Sequence, residues 1–225
     1  KHAAWFFKKK PEIVWLSAEN YEKDAKNLKE LDEYGGIIVP GGFGSRGIEG
    51  KIMAIEYCRK NKIPFLGLCL GMQLATIEFA RHVCGIKSAT STEFDPKTAE
   101  PVIDLMPEQK ALVKNKKMGA TMRLGAYDCE LTPGTRAYDA YRQKMISERH
   151  RHRYELNNDY RKILEDGGLM ISGNNPQKKL AEIVELSDHP FFMAAQFHPE
   201  FKSRPQRPHP LFREFIKVAI KNHKP

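Results

Sequence analysis

The chain has no apolar run approaching the roughly 18 residues that a membrane-spanning helix needs. A transmembrane segment is therefore not expected. No N-terminal stretch joins a basic start, an apolar middle and a small-residue cleavage site, so no signal peptide is read. The four cysteines, Cys58, Cys69, Cys84 and Cys129, form no CxxC pair. That spacing excludes a recognisable zinc site and a disulfide framework, and a reduced, cytoplasmic setting is the simplest expectation. Internal repeats and low-complexity segments are absent. The glycine-rich loop Gly41-Gly42-Phe43-Gly44 has neither the spacing of a P-loop nor that of G-x-G-x-x-G.

Charge is present in excess, with a formal net of +9. It is spread through Lys8–Lys10, Lys114–Lys117, Arg149–Arg153 and the C-terminal tail, with no recognisable nucleic-acid module beside it. Nucleic acid is not expected as a partner. A polyanionic nucleotide or an acidic protein surface accounts for the charge at least as well. The 225 residues, 41% hydrophobic, suit one α/β domain or two small ones.

Apolar runs predict the elements. Lys1–Lys8 reads as the end of a helix, and Glu12–Leu16 as a strand. A surface helix is expected over Lys23–Asp32. A buried strand, Gly36–Pro40, then runs into the Gly41–Gly47 loop, and a helix follows over Lys51–Lys62. Ile63–Leu68 is a buried strand, with helical spacing from Met72 to His82. This βαβα alternation implies a parallel sheet with helices on both faces. Lys87–Leu112 reads as loop, with turn signals at Asp95-Pro96 and Met106-Pro107. Strands are expected over Met122–Leu131, Ile146–Tyr154, Leu169–Ser172, Leu180–Leu186 and Phe191–Phe197. Helices are expected over Tyr160–Glu165 and Pro210–Lys221.

The chemistry concentrates at Gly67-Leu68-Cys69-Leu70-Gly71. A G-x-C-x-G turn between a buried strand and a helix is the layout of a nucleophile elbow, with sulfur in place of a serine oxygen. The helix N-terminus favours a thiolate there. A cysteine nucleophile needs a base, and the base an orienting group. The strand Phe191–Phe197 delivers His198 at its C-terminal end. Pro199 turns the chain, so that Glu200 can fold back onto one imidazole nitrogen. Backbone N–H groups of Leu70 and of the Gly41-Gly42 loop are placed to receive an oxyanion. Each part alone is bland: a buried small residue, a common tripeptide, a turn. Their order along one sheet is what joins them.

The elbow, the Pro40-Gly41-Gly42 loop and His198-Pro199-Glu200 resemble the three marks of the class I, triad-type glutamine amidotransferases. Longer segments narrow the resemblance: Pro40–Lys51, Cys69–Gln73, Ser91–Phe94, Met122–Gly125, Phe197–Phe201 and, most specifically, Glu148–Glu155. They are similar to the branch of that family whose glutaminase is joined to a synthetase that aminates UTP to CTP.

The resemblance implies a three-layer, flavodoxin-like α/β fold with a mostly parallel central sheet. It implies that 1–225 is a glutaminase domain, without its first strand and without the synthetase domain upstream. The implied activity is hydrolysis of L-glutamine to glutamate and ammonia through a cysteine thioester, as one half of a ligase of pyrimidine biosynthesis. Cys69 would be nucleophile, His198 base and Glu200 its orienter. Gly42 and Leu70 would form the oxyanion hole and touch glutamine, and Gln73, Glu93 and Arg153 would hold the substrate. A carboxylate suits the α-ammonium, and a guanidinium fork suits the α-carboxylate. Arg46, Gly47 and Glu49 would belong to a lid through which GTP, as allosteric activator, acts. No cofactor or metal is implied in this domain; ATP and Mg would serve the synthetase. The implied partners are that domain of the same polypeptide and further copies in a homotetramer. A γ-glutamyl hydrolase, the glutaminase of another synthetase and a catalytically silent regulatory module remain alternatives.

Overall fold

The computed structural model describes residues 1–105 and 122–222. Among the described residues the strands are β1 (Ile37–Val39), β2 (Phe65–Leu68), β3 (Thr90–Ser91), β4 (Pro101–Leu105), β5 (Arg123–Leu131), β6 (Met145–His152), β7 (Tyr154–Leu156), β8 (Met170–Asn174), β9 (Ala181–Glu185) and β10 (Phe192–Ala195). The α-helices are α1 (His2–Phe6), α2 (Glu19–Lys23), α3 (Ile48–Lys60), α4 (Leu70–His82), α5 (Arg136–Tyr141), α6 (Arg161–Asp166) and α7 (Pro210–Asn222).

Seven strands form one sheet in the order β1-β2-β10-β9-β8-β5-β6, and β3, β4 and β7 form a small second sheet. Along β2, Phe65 packs with Ile52, Ile55, Leu74 and Ile77 of α3 and α4, whereas Leu66 and Leu68 join Ala137, Leu211 and Phe215 of α5 and α7. Side chains alternate across a strand, so the sheet is the middle of three layers. At β2 both faces are dry, in keeping with the absence of polar residues from the Phe65–Leu68 run. Helix α4 is buried on nearly every side and correspondingly lacks a polar face.

The helix-flanked α/β sheet agrees with expectation, but it is mixed rather than mostly parallel. Only β1–β2 and β2–β10 are parallel; β10–β9, β9–β8, β8–β5 and β5–β6 are antiparallel. A helical crossover joins the first strands, whereas β5 and β6, β8 and β9, and β9 and β10 follow one another in the chain and pair as neighbours running back and forth.

Glu12–Leu16 is not a strand. A strand exists through hydrogen bonds to a neighbour, and among the described residues none pairs with it; Ile13, Val14 and Trp15 are exposed. The expected surface helix is α2 followed by a 3-10 helix over Ala25–Glu33. β1 is an edge strand with Ile38 exposed, not a fully buried one. The expected loop before residue 105 contains β3 and β4. The Met106-Pro107 turn and the Lys114–Lys117 run lie outside the described residues.

A buried polar cluster, invisible to hydropathy, ties the antiparallel half together. Arg123 Nη2 donates to Glu182 (2.6 Å) and its Nη1 to Glu155 (3.4 Å), while His150 Nε2 meets the other Glu182 oxygen at 2.7 Å. The Arg123 guanidinium lies 4.3 Å from the Tyr127 ring centre.

Candidate active site

β2 ends at Leu68 and α4 starts at Leu70, so a single residue, Cys69, makes the turn. Its φ of 51° and ψ of −102° lie where L-residues are strained. The flanking glycines are needed for packing. A Cβ on Gly71 would stand 2.1 Å from the Val39 carbonyl oxygen, and one on Gly67 would stand 2.7 Å from the Gly71 backbone. Strand and helix therefore cross closely enough to force the elbow.

The Cys69 side chain is buried, and burial pushes its thiol up to about 12. The Leu70 N–H pulls the other way, and the carboxylates of Glu200, Glu93 and Glu155 add to the rise. The helix terminus, which favours a thiolate, does not overcome desolvation, and burial favours the thiol at rest.

β10 lies beside β2 in parallel and carries the chain to His198. Its backbone N–H donates to the Arg149 carbonyl of β6 (2.8 Å), its ring stacks on Phe201 (4.8 Å between centres), and Nδ1 meets Glu200 Oε1 at 2.6 Å. A carboxylate there fixes the tautomer with the proton on Nδ1 and leaves Nε2 as acceptor. Nε2 is buried without a hydrogen-bond partner among the described residues. Gly41 lies between the two groups: a Cβ there would stand 2.9 Å from His198 Cε1 and 3.5 Å from Cys69 Cβ. The imidazole and the cysteine thus flank one glycine that must stay bare.

A small cavity is lined by Gly42, Phe43, Cys69, Gln73, Glu93, His152, Arg153 and Tyr154. Glu93 accepts from the Gly44 N–H (3.2 Å); burial raises its carboxyl, opposed only in part by that N–H and by Arg153. A carboxylate and a guanidinium on one wall of a cavity suit a zwitterionic amino acid. Leu70 is at the adjoining helix start, and Glu200 stands behind His198.

Arg46, Gly47 and Glu49 are apart from this cavity. Arg46 pairs with Glu19 through two hydrogen bonds (3.0 and 2.7 Å), Gly47 caps α3 with φ 65°, and Glu49 pairs with Arg81 at 2.7 Å. Ser17, Ala18, Glu19, Arg46, Gly47 and Lys51 line a separate depression.

Glu56, Glu78 and His82 bring ligand-type atoms within 4.8 Å of one another. Arg59 and Lys60 already neutralise those carboxylates.

The Gly41-Gly42 loop was expected as an oxyanion donor, whereas Phe43, His152, Tyr154 and Gln196 were given no role from the sequence. A signal for His152 existed. In β6 the burial alternates residue by residue, with Ile146, Glu148, His150 and His152 inward and Arg149 and Arg151 outward. The Arg-His-Arg-His pattern has the period of a strand with histidines on the dry side.

A strained cysteine after a central strand, a His–Glu pair at the end of its parallel neighbour and a glycine loop between them define a class: α/β enzymes of cysteine-based acyl transfer. The family profile "Glutamine amidotransferase class-I" matches residues 7–218. The chain belongs to the class I glutamine amidotransferases. It is 58% identical over 226 residues to the CTP synthase of Carboxydothermus hydrogenoformans, covering 100% of this chain and 41% of that protein. To the CTP synthase of Geobacillus kaustophilus it is 56% identical over 223 residues, covering 98% and 41%. The chain thus spans about two fifths of the length of these curated relatives. Among solved structures, the glutaminase domain of Trypanosoma brucei CTPS with bound acivicin superposes with a TM-score of 0.91 at 37% identity, covering 98% of this chain and 84% of that one. Within its class the chain is thus a glutamine amidotransferase domain of the CTP synthase kind.

Proposed function

We propose that this domain hydrolyses L-glutamine to glutamate and ammonia through a thioester on Cys69. One observation carries the reading: the elbow cysteine and the Glu200-bound His198 flank Gly41, beside a cavity whose wall offers both Glu93 and Arg153.

Glu93 receives the α-ammonium and Arg153 the α-carboxylate, which presents the side-chain amide to Cys69. His198 Nε2 takes the thiol proton as sulfur attacks the amide carbon, a transfer the raised thiol requires. The Leu70 and Gly42 N–H groups receive the oxyanion. His198 returns the proton to nitrogen, the C–N bond breaks, and ammonia leaves a glutamyl thioester. Water then attacks the thioester; His198 takes one of its protons and returns it to sulfur, releasing glutamate. Glu200 stabilises the imidazolium in both halves.

By likeness to the relatives, the ammonia serves an ATP- and Mg-dependent amination of UTP to CTP on a synthetase domain of the same polypeptide, in a cytoplasmic homotetramer. Four free cysteines fit a reducing compartment, and among the described residues no helix is long and apolar enough to cross a membrane. Arg46, Gly47 and Glu49 are assigned to a GTP-responsive lid. The Arg46–Glu19 pair holds that loop to α2, and an anionic effector would compete with Glu19 for the guanidinium.

The glutamine-analogue electrophile diazo-oxo-norleucine tests the site. Peptide mass spectrometry should place its adduct on Cys69, with glutamine protecting; an adduct elsewhere, or no protection, contradicts the assignment.

A further inference from the structure

Gln196 is the last residue before the Phe197-His198 turn, and it is completely buried. A polar side chain without solvent needs partners, and each partner here bears on the nucleophile. Its Nε2 lies 3.7 Å from Cys69 Sγ, within the range of an N–H···S hydrogen bond. Its Oε1 accepts from Gln73 Nε2 at 3.4 Å, and that nitrogen also donates to the Tyr154 carbonyl at 2.8 Å.

The direction of this chain is fixed at its far end. A carbonyl oxygen only accepts, so Gln73 must turn its nitrogen toward Tyr154. The same nitrogen then faces Gln196, which must answer with oxygen. That leaves only the Gln196 nitrogen for the sulfur. The backbone keeps the register: Gln196 N–H donates to the Glu182 carbonyl (2.9 Å), and Cys69 N–H donates to the Ala195 carbonyl (2.7 Å).

We propose that Gln196 is a further catalytic residue of the glutaminase reaction, an obligate N–H donor to the Cys69 sulfur, held in that orientation by Gln73 and the Tyr154 carbonyl. The inference rests on the function proposed above and deepens it. A thiol gains little from such a donor, whereas a thiolate gains a charge-assisted hydrogen bond. The interaction therefore strengthens as the proton moves to His198 and again when sulfur leaves the thioester. Gln73, expected only as a substrate contact, becomes a positioning residue as well.

The test is the rate of Cys69 alkylation by iodoacetamide at one fixed, near-neutral pH, read by peptide mass spectrometry on the intact 225-residue chain, together with glutamine kinetics. Gln196→Met keeps the volume and removes the donor. It should slow Cys69 alkylation roughly tenfold by lowering the thiolate population. The kcat should fall about as much, with KM for glutamine little changed. Gln196→Glu, which brings a carboxylate to the sulfur, should slow alkylation further, and Gln73→Met should slow it less. Far-UV circular dichroism and an unchanged alkylation rate at Cys84 report the fold; should Gln196→Met fail them, Gln196→Asn, whose amide is too short to reach, must show the same slowing. An unchanged Cys69 alkylation rate in a folded Gln196→Met or Gln196→Asn variant overturns the inference. Failure of the underlying reading looks different: glutamine hydrolysis would then survive Cys69→Ala.

Discussion

At the scale of single residues, the site combines one strained backbone, a buried thiol and an imidazole oriented by a carboxylate. Cys69 is held at positive φ and buried, so its thiol is protonated at rest. Activation must therefore come from His198, whose usefulness depends on Glu200 at 2.6 Å. Glu200→Gln removes the charge that steadies an imidazolium while keeping the shape. It should lower kcat for glutamine hydrolysis by about a hundredfold with KM nearly unchanged, in steady-state ammonia assays. Cys69, His198 and Glu200 were legible in the sequence because Cys69 and His198 each directly follow an apolar run and are marked by breakers, Gly67 and Gly71 about the cysteine and Pro199 between the histidine and Glu200. Gln196 and His152 were not: one directly follows β10 and the other ends β6, where sequence shows a polar residue but not its partner. The role of Gly41 is legible only once His198 Cε1 is seen beside it.

At the scale of elements, the crossing of β1, β2 and α4 creates the elbow. Gly71 is where α4 meets β1, with the Val39 carbonyl where a methyl group would go. Gly71→Ala must push strand and helix apart. It should cost about 2 kcal/mol or more, read as a lowered denaturant midpoint, with glutaminase activity reduced as the Leu70 N–H moves. The parallel elements were readable because their apolar runs and helical spacings are local signals. The antiparallel strands were readable as strands, but not in their pairing, which depends on register between distant segments. Glu12–Leu16 shows the limit from the other side. Its residues have strand propensity, yet propensity without a neighbouring ladder leaves Trp15 86% exposed.

At the scale of the whole molecule, the polar cluster under the antiparallel half makes stability depend on pH. Burial raises Glu155 to about 8, only partly opposed by Arg123, and holds His152 well below its ordinary 6.5. A raised carboxyl contributes its stability below the unfolded value of 4.5 and loses it as pH climbs toward 8. A depressed histidine acts oppositely, losing stability as pH falls below 6.5. The two effects offset each other between 4.5 and 6.5. Above that window only Glu155 still titrates, so stability should fall toward pH 8. Denaturant midpoints taken across that range should show the decline, and Glu155→Gln should flatten it.

The central claim is that the Cys69 sulfur is the nucleophile toward glutamine, and ammonia release by Cys69→Ala tests it most directly. With circular dichroism unchanged, the rate should fall by at least about a thousandfold; a folded Cys69→Ala chain that still releases ammonia from glutamine at a comparable rate would contradict it.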